Sequence, residues 1–284
     1  MKFFKTFIIS ISLTIAANTA FAQYFYVNHN KYKRTFLLHL PKSYTVDKKY
    51  PLVIALHGGF GSALNLEEQS GLSIMADKEN FIVVYPEGVE GRLMTARTWN
   101  AGWCCGFSSK SNIDDVGFID KMLDKVIKDY PVDTNKVYVT GMSNGGFMAY
   151  RLACELSDRI AAIAPVAASM SMEECNPVLK MPIIHFHSYN DKSVPIEGGI
   201  GEGISKHYNL PLDSLLKIWS VRNGCSDKVD KVINNSQYTF LKNNNNDKAS
   251  EIECYISKDG GHSWPGGKQT KIGDPSSTFV NANV

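Results

Sequence analysis

Apolar residues in this chain fall into short runs that alternate with stretches of helical spacing. Residues 36–40, 52–56 and 81–85 are β-rich runs, each closed by turn residues, and predict strands. Residues 66–78 and 116–130 place their apolar positions at helical spacing instead, and Asp114 and Asp115 precede the second as candidate N-caps. The alternation continues with a strand at 136–140, a helix at 145–156, strands at 160–166 and 182–187, a helix at 212–221 and a strand at 251–256. Strands separated by helices in this way predict an α/β fold, with a mainly parallel sheet and helices on both faces. No repeat or Pro-rich linker divides the chain, and the polar patch 243–246 reads as a loop between strands, so one domain is expected.

In sheets of this kind ligands bind beyond the carboxyl ends of the strands. Four loops that follow predicted strands carry unusual residues: HGGFG at 57–61, GMSNG at 141–145, SYND at 188–191 and GGHSW at 260–264. GMSNG has the GxSxG form of a nucleophile elbow, in which flanking glycines permit a sharp strand-to-helix turn that lifts the serine hydroxyl into the open. GxSxG alone is weak evidence, and its setting between a β run and a helical run strengthens it here. Serine becomes a nucleophile only when a base takes its proton and an acid holds that base in the right tautomer. Ser143, Asp191 and His262 occur in the Ser, acid, His order of the α/β hydrolases. Among the seven histidines His262 alone lies downstream of both partners in a Gly-flanked loop, and Asp191 follows a strand directly, whereas Glu197, Asp213 and Asp227 lie further along. The amides of Gly59 and Asn144 fit an oxyanion hole. Taken singly, each motif reads as an ordinary turn; their order after separate strands makes a catalytic set.

Other residues carry less. His185 and His187 form an HxH pair on one strand face, without an evident third metal ligand, and read as buried, hydrogen-bonded histidines. Trp99, Trp103 and Trp264 lie in loops near the expected site, where an aromatic ring can stack on a sugar or aryl group or simply pack.

Composition changes the picture in two ways. Lys2 and Lys5 precede an apolar stretch at 7–17, and Ala20 and Ala22 frame Phe21, which predicts a secretory leader at 1–22 cut before Gln23. The apolar part is too short for a spanning helix, and no lipid-attachment cysteine follows, the first cysteine being Cys104. The remaining 262 residues hold 28 basic and 28 acidic side chains, with no basic cluster of the kind a nucleic-acid binder needs. The expectation is a soluble exported monomer, with neither nucleic acid nor membrane as partner after cleavage. An even cysteine count in an exported chain favours disulfides. Cys154 with Cys175 and Cys225 with Cys254 each flank one short segment, which leaves Cys104 and Cys105 to each other in an eight-membered ring. A crossed arrangement joining one of these to Cys154 or Cys175 stays open.

The runs TWNAGWCCGF at 98–107, IDDVGFI at 113–119 and VYVTGMSNGGFMAYRLACE at 137–155, with DKSVP at 191–195, Gly198-Gly199 and GGHSWPGG at 260–267, together resemble exported poly(3-hydroxybutyrate) depolymerase and feruloyl esterase type enzymes. The resemblance spans residue 32 to the end. It implies the α/β-hydrolase fold and a serine carboxylesterase without metal or organic cofactor, with Ser143 as nucleophile, Asp191 as acid and His262 as base. Its substrates would be hydroxyalkanoate oligomers or feruloyl and acetyl esters of polysaccharides. Two departures stand out. Ser188 follows His187 where the family has glycine, so the acid loop is expected to turn differently. The family also continues past the FVNANV region into a final helix over the sheet, so exposed apolar surface is expected here. Two other readings stand beside the esterase. A serine peptidase would use the same triad but calls for a gating domain, for which 262 residues leave no room. A non-catalytic binding protein on a hydrolase scaffold is disfavoured by the intact triad.

Overall fold

A computed structural model describes residues 22–91, 96–203, 206–225, 231–243, 250–269 and 273–283. Apart from Ala22, the expected leader lies outside the described residues, as do Asp227 and residues 244–246 of the polar patch. The strands are β1 (Gln23–His29), β2 (Tyr32–His39), β3 (Tyr50–Leu56), β4 (Ile82–Pro86), β5 (Val89–Glu90), β6 (Arg97–Thr98), β7 (Val132–Met142), β8 (Ala162–Val166), β9 (Ile183–Ser188), β10 (Gly199–Ile200), β11 (Tyr208–Asn209), β12 (Lys231–Asn234), β13 (Tyr238–Asn243) and β14 (Ile252–Ser257). The helices are α1 (Ala63–Ser70), α2 (Leu72–Glu79), α3 (Gly106–Lys110), α4 (Asp115–Asp129), α5 (Asn144–Glu155) and α6 (Leu212–Arg222).

Ten strands form one sheet in the order β1-β2-β4-β3-β7-β8-β9-β14-β13-β12. The strands from β4 across to β14 run parallel, so their carboxyl ends share one edge of the sheet. Antiparallel pairs close both sides, β1 with β2 and β12 with β13. Because side chains alternate along a strand, successive residues enter different cores. Leu52, Ile54, Ile82 and Val84 pack with Phe118, Met122 and Val126 of α4, Met148 and Leu152 of α5, and Leu215 and Trp219 of α6. Ala55, Val83 and Tyr85 pack on the other side with Ala63 and Leu66 of α1 and Leu72 and Ala76 of α2. This is the expected α/β arrangement, with helices on both faces. On the second face Val53, Tyr138, Ala162 and Ile184 line an apolar cavity of about 360 Å³ beside Ala282. Among the described residues no helix is long and apolar enough to cross a membrane.

Four departures from the sequence expectations stand out. The helix expected at 66–78 is two helices, because Gly71 adopts φ +68° and its N–H caps α1 on the Glu67 carbonyl. Residues 36–39 of the expected run 36–40 fall in β2, but β1, β12 and β13 are strands that apolar runs alone do not reveal, and the two edge strands among them carry polar residues on their open side. Asp114 caps α4 through the Gly117 amide, but Asp115 is a buried ion-pair partner of Arg34 at 2.6 Å rather than a cap. Cys154 is joined to Cys175 and Cys104 to Cys105, whereas the expected bond between Cys225 and Cys254 is not made. Cys254 is a thiol buried in the core on β14, and Cys225 Sγ instead lies 2.9 Å from the Ser250 carbonyl.

Candidate active site

The site is assembled where β3, β7, β9 and β14 end. After β7 the chain turns through Ser143 at φ +53°, ψ −124°, and enters α5 at once. A non-glycine residue in this region of backbone space is held at a cost of about 1–3 kcal/mol, so its neighbours must enforce it. The Ser143 amide donates to the Val166 carbonyl at 2.9 Å, and the Ser143 carbonyl accepts from Phe147 at 2.9 Å. Close approach explains two of the surrounding glycines. A Cβ at Gly141 would lie 2.5 Å from the Gly145 carbonyl oxygen, and one at Gly145 would run into the Leu56 and His57 carbonyls. The elbow is thereby pressed against the end of β3.

The other two members of the set arrive on loops that brace each other. Asp191 follows β9 with its side chain fully buried. Its Oδ1 accepts the Ser193 amide at 2.9 Å and the Val194 amide at 2.8 Å, and its Oδ2 accepts from His262 Nδ1 at 2.8 Å. His262 Nε2 then lies 2.9 Å from Ser143 Oγ. Since Nδ1 carries the proton given to Asp191, Nε2 presents a lone pair to the serine hydroxyl. The His262 loop is held from outside, its own amide donating to Asp274 Oδ2 at 2.7 Å and the Gly261 amide to the Pro275 carbonyl at 3.0 Å. Ser188, the departure from the family pattern, joins the two loops: its hydroxyl lies 3.3 Å from the carbonyls of Asp259 and Gly260. Glu197 and Asp213 make no hydrogen bond to His262.

Burial pushes the Asp191 carboxyl up, but the hydrogen bond and charge of His262, the charge of His187 and the Val194 amide together hold it below the usual carboxylate range. Asp191 is therefore ionised at neutral pH. Beneath it runs a buried chain of neutral groups. His187 Nε2 donates to the Val194 carbonyl at 2.8 Å, which leaves Nδ1 to accept from His185 Nε2 at 3.0 Å. His185 Nδ1 in turn accepts from the Tyr150 hydroxyl at 2.9 Å. Burial lowers both imidazoles, as their neutral, hydrogen-bonded state requires. The HxH pair thus supports the acid loop from below.

The HGGFG loop lies against the elbow, where a Cβ on Gly58 would sit 3.5 Å from Ser143 Cβ and one on Gly59 3.7 Å from Asn144 Cβ. Asn144 opens α5, so its amide is one of the helix's unpaired N-terminal donors. The Gly59 amide has no protein acceptor among the described residues. Two donors therefore stand beside Ser143.

Neither Trp99 nor Trp264 has a ring face open to a substrate, at 0% and 1% exposure. Trp264 packs in the second core, and its Nε1 donates to Asn283 Oδ1 at 3.2 Å. Trp99 lies under the site, bonded to His57 and Asn144. Loop position left both open to stacking on a substrate or to packing, and their aromatic bulk packs inward. Trp103 is 60% exposed, its amide donating to the Ser171 carbonyl at 2.9 Å. His57 opens the HGGFG loop, and its own part in the site was not among the sequence expectations. Its Nε2 accepts the Gly88 amide at 2.9 Å, so its Nδ1 donates to the Gly58 carbonyl at 2.7 Å, and burial pushes the imidazole down to about 4. Its place directly before two glycines was the available signal.

With this geometry in hand, the chain matches the model of the esterase PHB depolymerase family over residues 34–201. The chain belongs to that family. Among curated relatives, feruloyl esterase B of Piromyces equi is 30% identical over 68% of this chain and 36% of its own length. Poly(3-hydroxyalkanoate) depolymerase C of Paucimonas lemoignei is 27% identical over 82% of this chain and 51% of its own. The chain thus spans a third to a half of the length of these two family relatives. Among solved structures, acetyl xylan esterase from Aspergillus awamori superposes with a TM-score of 0.62 at 15% identity, covering 85% of this chain and 94% of that one. At that identity the superposition shows the shared α/β-hydrolase fold.

Proposed function

We propose that the protein is an exported serine carboxylesterase acting as a monomer. The hydrogen-bonded relay from Asp191 through His262 to Ser143 carries this reading. Ser143 Oγ attacks the ester carbonyl while His262 Nε2 takes its proton, and the Gly59 and Asn144 amides hold the oxyanion. The imidazolium, stabilised by ionised Asp191, passes the proton to the departing alcohol and leaves an acyl group on Ser143. Water, activated by the same imidazole, releases the acid by the reverse sequence. None of these steps calls on a metal or organic cofactor.

The substrates we propose are hydroxyalkanoate oligomers or feruloyl and acetyl esters of polysaccharides, after relatives named poly(3-hydroxyalkanoate) depolymerase, feruloyl esterase and acetylxylan esterase in turn. The test is hydrolysis of short p-nitrophenyl esters by the purified protein and by Ser143→Ala, followed by a rate panel over the ester classes. Turnover by the wild type and its loss in the variant are expected. An inactive wild type, or a variant with full rate, rejects the assignment.

A further inference from the structure

The two proposed oxyanion donors come from loops far apart in sequence, and no hydrogen bond among the described residues joins residues 57–61 directly to Ser143 or Asn144. Trp99 joins them. Its indole Nε1–H donates to the His57 carbonyl at 2.9 Å, just ahead of the Gly59 amide. Just beyond that amide, the Phe60 N–H donates to the carbonyl of Arg97, on the same short segment as Trp99. Gly59 is thus bracketed by two bonds to one piece of chain. On its other side that piece grips the elbow: the Trp99 amide donates to Asn144 Oδ1 at 2.7 Å, and the Trp99 carbonyl accepts from Asn144 Nδ2 at 3.0 Å. The Trp99 ring also packs on the His57 ring, with centroids 4.9 Å apart, and His57 ties down the Gly58 carbonyl.

We infer that Trp99 is a positioning residue that sets the spacing of the Gly59 and Asn144 amides, through its indole N–H on one loop and its backbone on the other. The inference rests on the esterase reading. An oxyanion hole works only when both donors sit about 2.7–3.1 Å from the oxygen of the tetrahedral intermediate. Removing the indole N–H leaves the His57 carbonyl unpaired in a buried place, and the loop carrying Gly59 relaxes to find it a partner. The ground-state carbonyl draws little on these donors, so the loss falls on kcat and not on KM.

The test uses two replacements of Trp99. Trp99→Phe keeps an aromatic ring and deletes the donor. Incorporated benzothienylalanine keeps the bicyclic shape, with sulfur in place of N–H, and serves where phenylalanine disturbs folding. Both are assayed on a p-nitrophenyl ester for kcat and KM, and for affinity toward a trifluoromethyl ketone, whose hemiketal oxygen occupies the oxyanion position. The expected result is a fall of about tenfold in kcat and in ketone affinity, with KM held within about twofold. A merely structural role would lower the thermal midpoint without this split. Unchanged kcat and ketone affinity, or a rise in KM alone, overturns the inference. An inactive wild type is a separate result, which rejects the esterase reading itself.

Discussion

Replacing Asp191 with asparagine tests the relay at its most constrained point. Asp191 Oδ1 accepts two backbone amides, from Ser193 and Val194, so the oxygen of an asparagine must take that position. The new NH₂ group is then forced to face His262 Nδ1, where Oδ2 stood 2.8 Å away. A donor at that place compels Nδ1 to accept, and the ring proton moves to Nε2, which faces Ser143 Oγ. In this tautomer the histidine cannot take the serine proton. The expected loss is about 10³ to 10⁴ in kcat, equivalent to about 4–5 kcal/mol of transition-state stabilisation, with KM nearly unchanged. Steady-state hydrolysis of p-nitrophenyl butyrate reads it, and the rate of fluorophosphonate labelling should fall by a similar factor. A variant within tenfold of wild type would refute the reasoning, because it would mean that His262 does not depend on Asp191 for its tautomer.

Three further outcomes follow from the packing. Burial holds the His57 imidazole at about 4 in the folded state, below its ordinary 6.5, so the unfolded chain binds the proton first and stability falls as pH drops from about 6.5 to about 4. His57 accounts for about 3 kcal/mol of that loss, and buried His185 and His187 act in the same direction; equal urea midpoints at pH 7 and pH 4 would contradict their neutral burial. The Cys154–Cys175 bond closes a loop of sequence separation 21 between α5 and the segment after β8, so replacing both cysteines with alanine should lower unfolding free energy by about 3 kcal/mol in denaturant titration. A change below about 1 kcal/mol would show that the bond does not constrain the unfolded chain. Gly145→Ala drives a Cβ toward the Leu56 and His57 carbonyls, and should push the elbow off β3 with a loss of stability of about 1–3 kcal/mol and most of the activity; a fully active, equally stable variant would contradict the close approach.

Much of this arrangement could be read in the chain before its fold was known. Strands buried on both faces announce themselves as apolar runs, which is why the parallel centre of the sheet and the loops after it were legible, and with them Ser143, Asp191 and His262. The edge strands were not, because β1 and β12 leave one side to solvent and their apolar signal is diluted. Gly71 broke one expected helix into two through a left-handed conformation that periodicity does not register. The roles of Trp99 and Asp115 were hidden for a different reason. A tryptophan in a post-strand loop looks the same whether its ring faces substrate or core, and a second aspartate before a helix looks like a cap until its partner Arg34, from β2, is beside it. Both roles depend on contacts between segments distant in sequence.

Covalent labelling addresses the central claim most directly. Intact-mass measurement of the folded protein after treatment with a fluorophosphonate should show one adduct per chain, mapped by peptide analysis to Ser143 and absent from Ser143→Ala. A folded, unlabelled wild type, or an adduct on another residue, would contradict the account.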